Sequence, residues 1–241
     1  MKNWFLLILA SFSIASCVDD DTGNRCNSNC TTIQGTVVTA GNEPLKNVRI
    51  RLTYRNSPYG GGIRRIVHEK TGASGSYAKN FYIEEDELGL RNGHFEVEIN
   101  DARLKSSDFI KTGLFDDYPD APVIQDIHTR DTVLNYSFYI ARKGFIEVNL
   151  NNFVPLQTGD FFKVSTRFEA GYEISPGRYA EKTVDAGSNI QRDQSYPNVL
   201  VSQGAENTIV ITKSKNGVVT TEEYPITVPT GENNIELSYD Y

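Results

Sequence analysis

Polar and apolar residues alternate one by one along much of this chain. Val48, Ile50, Leu52 and Tyr54 are interleaved with Asn47, Arg49, Arg51 and Thr53, and Phe95, Val97 and Ile99 with Glu96 and Glu98. Leu134, Tyr136, Phe138 and Ile140 repeat the pattern, as do Ile146, Val148 and Leu150, and finally Ile235, Leu237 and Tyr239. Successive side chains of a strand point to opposite faces, so a period of two gives each strand one greasy and one wet face. Antiparallel sheets packed on a single side have this pattern. No long stretch repeats at the helical period, although Glu84–Arg91 and Ser106–Thr112 have room for a helical turn or two.

Turn-forming clusters separate the runs: "AGNEP", "SPYGGG", "GASG", "RNG", "SKNG" and "PTGEN". Lys215-Asn216-Gly217 predicts a hairpin, because Asn-Gly accepts the positive φ angles of a type I′ turn. The fold class expected is all-β, two antiparallel β-sandwich modules in tandem. A boundary falls near Arg142-Lys143-Gly144, giving a first sandwich over 32–142 and a second over 143–241. The connection is short, which favours a rigid pair over beads on a string.

The N-terminus breaks the pattern. After Met1-Lys2-Asn3 comes the apolar run "WFLLILASFSI", too short to span a bilayer core, which takes about 20 helical residues. A basic start, a short apolar middle and small residues at a cleavage point are the layout of a signal peptide, residues 1–16. Ile14-Ala15-Ser16-Cys17 resembles the bacterial lipobox, and the resemblance implies that Cys17 carries the lipid of a mature lipoprotein. Two or three acyl chains on one residue hold a protein on a membrane far more firmly than one. Val18-Asp19-Asp20-Asp21 is similar to the acidic export tag of Bacteroidetes-type lipoproteins. That implies the outer membrane, with the chain facing the cell exterior; the other face of that membrane and a plain solvated linker are the alternatives. Residues 17–31 would then be a tether, reaching about 20 Å as a random coil.

Three cysteines are an odd number for an exported chain. Lipidation of Cys17 leaves Cys26 and Cys30 to form a disulfide in an oxidising compartment. With no histidine beside them they cannot complete a zinc site. The formal net charge is −7, and no basic stripe runs along the chain, which argues against nucleic acid as a partner. Arg49, Arg51, Arg55, Arg64 and Arg65 alternate along apparent strands and read as a solvated sheet face.

In the first module, "IQGTVVTAGNEPLKNVRIRLTYRN" followed by "EKTGASGSYAKNFYI" resembles the carboxypeptidase regulatory-like family. The residues that carry the resemblance are Gly35, Thr36 and Val37, then Pro44 and Leu45, then Val48, Ile50 and Leu52, and last Thr71, Gly75, Ser76 and Tyr77. It implies a transthyretin-like sandwich over roughly residues 32–140, with Gly75 in a tight turn and Tyr77 on the core. Ala73-Ser74 stand where the family commonly has an acid, and "EEDELGLRNGHFEVEIN" replaces a shorter turn. The implied module is the accessory one, not a catalytic zinc domain. For residues 143–241 strand spacing alone suggests another immunoglobulin-like or transthyretin-like sandwich.

Catalytic patterns are missing from the sequence. His68, His94 and His128 lie far apart and open no H-x-x-E or H-E-x-x-H motif. "GASG" is one residue short of G-x-S-x-G, and Ser76 and Lys79 would point to opposite faces of a strand. Gly60-Gly61-Gly62 lacks the Lys-Ser/Thr of a phosphate loop. No enzyme and no cofactor are expected. Asp116, Asp117 and Asp120 crowd one loop with Asp126 and Asp131, which reads as a solvated loop, with a calcium ion as the lesser alternative because the spacing fits no EF-hand. Tyr59 and Tyr118 are the candidate ligand-binding residues; Tyr54, Tyr172, Tyr179 and Tyr196 also fall in or near expected loops. The expectation is a non-enzymatic surface binding or scaffold protein meeting surface proteins or glycans. The alternatives are an accessory carbohydrate-binding component of a glycan-uptake system, or a hydrolase accessory domain.

Overall fold

The computed structural model describes residues 19–20, 26, 28–55, 63–89, 93–100, 103–110, 123–124, 127–231 and 234–241. The alternating runs form strands. In chain order these are β1 (Asp19–Asp20), β2 (Thr31–Thr39), β3 (Glu43–Pro44), β4 (Arg49–Arg55), β5 (Ile63–Lys70) and β6 (Ser76–Phe81). Next come β7 (His94–Asn100), β8 (Val123–Ile124), β9 (Val133–Asn135), β10 (Phe138–Tyr139) and β11 (Arg142–Asn151). The last six are β12 (Phe161–Ser175), β13 (Arg178–Asp185), β14 (Gln194–Gln203), β15 (Ala205–Lys215), β16 (Val218–Val228) and β17 (Glu236–Asp240). Of the two possible helical stretches, Glu85–Glu87 is a single 3-10 turn.

Two sandwiches share one strand connectivity. In the first, β6-β2-β9/β10 faces β5-β4-β7-β8; in the second, β14-β11-β17 faces β13-β12-β15-β16. Within each, the second strand (β4, β12) pairs antiparallel with the third and the fifth. The first strand pairs antiparallel with the fourth (β2 with β6, β11 with β14) and parallel with the last. Period-two alternation does not reveal those parallel closures, because a half-buried strand looks the same whichever way its neighbour runs.

The run from Leu134 to Ile140 is not one strand. It splits into β9 and β10, both in one register against β2, with Ile33 opposite Leu134 and Val37 opposite Phe138. The break is at Gly35: a Cβ there would lie 1.9 Å from the Tyr136 carbonyl oxygen, so only glycine admits the bowed backbone. That carbonyl accepts the Tyr77 hydroxyl at 2.5 Å. Tyr77 is buried in the cluster of Val48 and Ile50, and Gly75, at φ +70°, makes the turn before it.

Each sandwich has its own apolar core. The first is built from Ile33, Val37, Ile50, Leu52, Val97 and Phe138 among others, the second from Ile146, Val148, Leu150, Phe162, Val201, Ile209 and Ile211. A third cluster joins them: Ile110, Tyr139 and Ala141 pack on Phe168, Ala170 and Tyr179. β12 crosses the junction. Its residues 161–168 pair with β15, and Gly171 and Tyr172 pair with β10, so a sheet of the first sandwich continues into one of the second. Gly204, at φ +73°, lets the second sandwich approach, since a Cβ there would stand 2.8 Å from that of Ala40.

Candidate binding surface

Strand register gives the long dimension. β2 runs from Thr31 to Val38, which is level with Tyr139 and through it with Gly171; β12 then leads back to Phe161. At 3.3 Å per residue that path is about 55 Å, with the N-terminal entry at one end and the start of β12 at the other. Near the entry, Cys26 and Cys30 are joined by a disulfide, their Cα atoms 5.6 Å apart. Asp19 and Asp20 pair in parallel with Arg64 and Arg65 on the edge of β5.

At the far end two loops meet, residues 152–160 and the β15–β16 hairpin. Asn216 (φ 52°) and Gly217 (φ 75°) make that hairpin's two-residue turn, the type I′ geometry expected from Asn-Gly. The two loops are tied by Asp160, which is 1% exposed. Its Oδ2 accepts the N–H groups of Leu156, Gln157 and Asn216 at 2.9, 3.2 and 3.0 Å, and its Oδ1 accepts that of Gly217 at 3.1 Å. Burial opposes ionisation of this carboxyl, but four N–H donors outweigh it and hold the pKa down at about 2. Beneath the loops, Phe153 and Phe162 pack on the Tyr241 ring at 4.5 and 5.6 Å, and the Lys215 ammonium stands 4.6 Å over that ring.

On this fixed base Val154, Leu156, Val218 and Val219 are 67, 68, 63 and 58% exposed. The segments presenting them, "NFVPLQTG" (152–159) and "NGVVTT" (216–221), contain no charged residue, in a chain that is 23% charged. Burying one such side chain is worth about 1.5–3 kcal/mol, so their exposure leaves apolar area at the tip, with Val218 and Val219 turned to opposite faces of the hairpin.

The first sandwich presents the opposite surface. On the outer face of β4 and β7, the Arg51 Nε donates to Glu98 at 2.7 Å, and Arg55 pairs with Glu96. His94 Nε2 lies 3.0 Å from the other oxygen of Glu96. Burial works against the Glu96 charge, yet the hydrogen bonds from Arg55 and His94 prevail and lower its pKa. Arg64 grips the buried Glu87 with two nitrogens. Arg51, Arg55 and Arg64 are thus matched by carboxylates, while Arg49, Arg65 and Lys70 add further positive charge to the outer face of β4 and β5.

Of the residues singled out from sequence, Cys17, Tyr59, Tyr118, Asp116, Asp117 and Asp120 lie outside the described residues. Four other tyrosines are not on ligand-accessible loops. Tyr54 is buried in β4 against Phe95 at 5.0 Å, and Tyr179 is buried in β13 against Tyr139 at 5.4 Å. Tyr172 in β12 and Tyr196 in β14 pack on the two cores. Long strands extend further toward the turns than the alternation suggested, and the rings serve as core. The histidines do not converge: His68 is on β5, His94 on β7, and His128 follows β8. Among the described residues, no group of three or more His, Cys, Asp or Glu is placed to hold a metal, and no helix is long and apolar enough to cross a membrane. Sequence reasoning missed the aliphatic end altogether. The signal was there, as two charge-free segments, but nothing in the sequence placed them side by side.

No protein-family model and no curated protein matches the chain. Solved structures align at low overlap. The Bacillus anthracis TIE protein aligns at 13% identity and a TM-score of 0.30 over 88% of this chain, which spans only 33% of that protein. The shaft pilin SpaA from Lactobacillus rhamnosus GG aligns at 10% identity and a TM-score of 0.33 over 87% of this chain and 96% of its own. BcpA, the major pilin subunit of Bacillus cereus, aligns at 12% identity and a TM-score of 0.30 over 83% of this chain and 69% of its own. At such overlap nothing about their roles transfers to this chain.

Proposed function

We propose that this chain is a non-enzymatic lipoprotein, anchored through Cys17 in a bacterial outer membrane and facing outward, that serves as a binding or scaffold component of the cell surface. The observation that carries the reading is the charge-free aliphatic end, held stiffly by Asp160 about 55 Å along the strands from the N-terminal entry. An anchor at one end and a contact surface at the other is the layout a scaffold needs. Other surface proteins are the better partners than glycans, because four of the six tyrosines considered for sugar stacking are core residues. The resemblance of the first module to carboxypeptidase regulatory-like domains is consistent with an accessory role.

The test pairs a glycan array with crosslinking capture from intact cells, each run on the chain and on Leu156→Asp with Val219→Asp. Both positions are exposed, so the double variant should fold with stability changed by only about 0.5 kcal/mol per site. Discrete protein adducts that vanish in the variant support the scaffold reading. Glycan signal unaffected by the substitutions, with no protein adduct, overturns it in favour of a carbohydrate-binding accessory.

A further inference from the structure

The shared connectivity of the two sandwiches exposes one difference between their last strands. In the first sandwich, β10 pairs with β2 on one side and β12 on the other. In the second, β17 pairs with β11 on one side, and among the described residues no strand covers its other side. The edge filled in one sandwich is open in the other.

The hydrogen bonds fix which groups are left over. In a strand the N–H and C=O of one residue point the same way and those of the next point oppositely. The Ile235 carbonyl accepts from Glu147, and the Tyr241 N–H donates to the Asn151 carbonyl, so residues 235, 237, 239 and 241 turn their backbone groups toward β11. Glu236, Ser238 and Asp240 therefore aim theirs at the open edge. In the first sandwich the corresponding outward carbonyl, that of Ser137, accepts the N–H of Glu173 on β12 at 2.8 Å.

The side chains along this edge state the charge a guest must bring. Glu236 and Asp240 project on the solvent face, and Glu147 stands directly opposite Glu236 across the parallel pair. Among the described residues they bond neutral groups: Asn149 to Glu236, Asn152 to Asp240 and Ser195 to Glu147. Like charges facing each other across strands are destabilising, and a cation would relieve them.

We propose that the open edge of β17 docks an extended strand of another protein, with lysine or arginine at alternate positions, added antiparallel as β12 is added to β10. Backbone bonds to Glu236, Ser238 and Asp240 would supply the affinity, and the three carboxylates the selection. This rests on the binding reading above and uses a strand edge that adjoins the aliphatic end, where Asn152 bonds Asp240.

The test uses the full chain and two eight-residue peptides, one alternating lysine with valine and one alternating glutamate with valine. Hydrogen–deuterium exchange should show the amides of Glu236, Ser238 and Asp240 slowed at least tenfold by the lysine peptide and not by the glutamate peptide. Ser238→Pro removes an outward N–H without touching the ladder to β11, and should abolish that protection while leaving the melting curve near wild type. Should this variant misfold, Asp240→Lys must weaken protection by the lysine peptide. Protection elsewhere, or equal protection by both peptides, overturns the proposal. Self-association of the chain that Ser238→Pro abolishes overturns it as well, assigning the edge to a second copy. Crosslinks from the aliphatic end that persist in Ser238→Pro would show the scaffold reading standing apart from this one.

Discussion

In the first sandwich carboxylates work in pairs with arginines: Glu98 with Arg51, Glu96 with Arg55, Glu87 with Arg64. In the second, the most deeply buried carboxylate, Asp160, bonds four backbone N–H groups instead. Both units carry cation–carboxylate pairs, Lys163 with Asp185 and Lys213 with Glu222 in the second, so the difference lies in how each holds its buried carboxylate. Ion pairs cover part of the first sandwich's outer face with charge, and Arg49, Arg65 and Lys70 stand beside them. A carboxylate bound to backbone ties the two loops together, and aliphatic side chains stand at that tip beside Lys215.

The largest effect of a single substitution is expected in the first sandwich. Gly35→Val should destabilise by more than about 3 kcal/mol, because the new Cβ meets the Tyr136 carbonyl and no rotamer avoids backbone. A fall in the denaturant midpoint, with exchange protection lost first in β9 and β10, checks it. Glu87→Ala should cost about 3 kcal/mol by leaving the largely buried Arg64 guanidinium without its carboxylate. The same measurement on Glu87→Gln should give a smaller loss, since one acceptor remains.

Asp160→Asn should act more locally, slackening the two tip loops without opening the core. Its pH signature distinguishes it. The folded-state pKa of Asp160, about 2, lies below the ordinary 3.8. Its contribution is therefore fully present above pH 3.8 and is lost as pH falls toward about 2. Acid titration of stability in the wild type should contain this component, and the asparagine variant should lack it. Arg167→Ala, which removes exposed pairs with Glu223 and Glu181, should change stability by under about 1 kcal/mol and mark the floor of the series.

The strands and turns were largely readable from sequence because alternation and Asn-Gly or Gly-containing turns are local signals. The Asn216-Gly217 hairpin and the Gly75 turn follow from two or three residues each. What escaped depends on residues far apart in the chain. Tyr139 and Ala141 occupy the positions that alternation assigns to solvent, yet they are buried, because a second sandwich covers that face with Phe168 and Ala170. The aliphatic end was hidden for the same reason: Leu156 and Val218 are 62 residues apart, and only the Asp160 hydrogen bonds place their loops together. An exposed valine next to a turn gives no sign of whether it caps a core or faces a partner.

On the proposed reading the far end of the second sandwich, not the charged face of the first, meets the partner. A photo-crosslinking residue placed at Val218 in intact cells should give discrete protein adducts that Leu156→Asp removes. The same probe at His68, on the charged sheet, should give few or none. Equal adducts from both positions, or adducts from His68 alone, would contradict it.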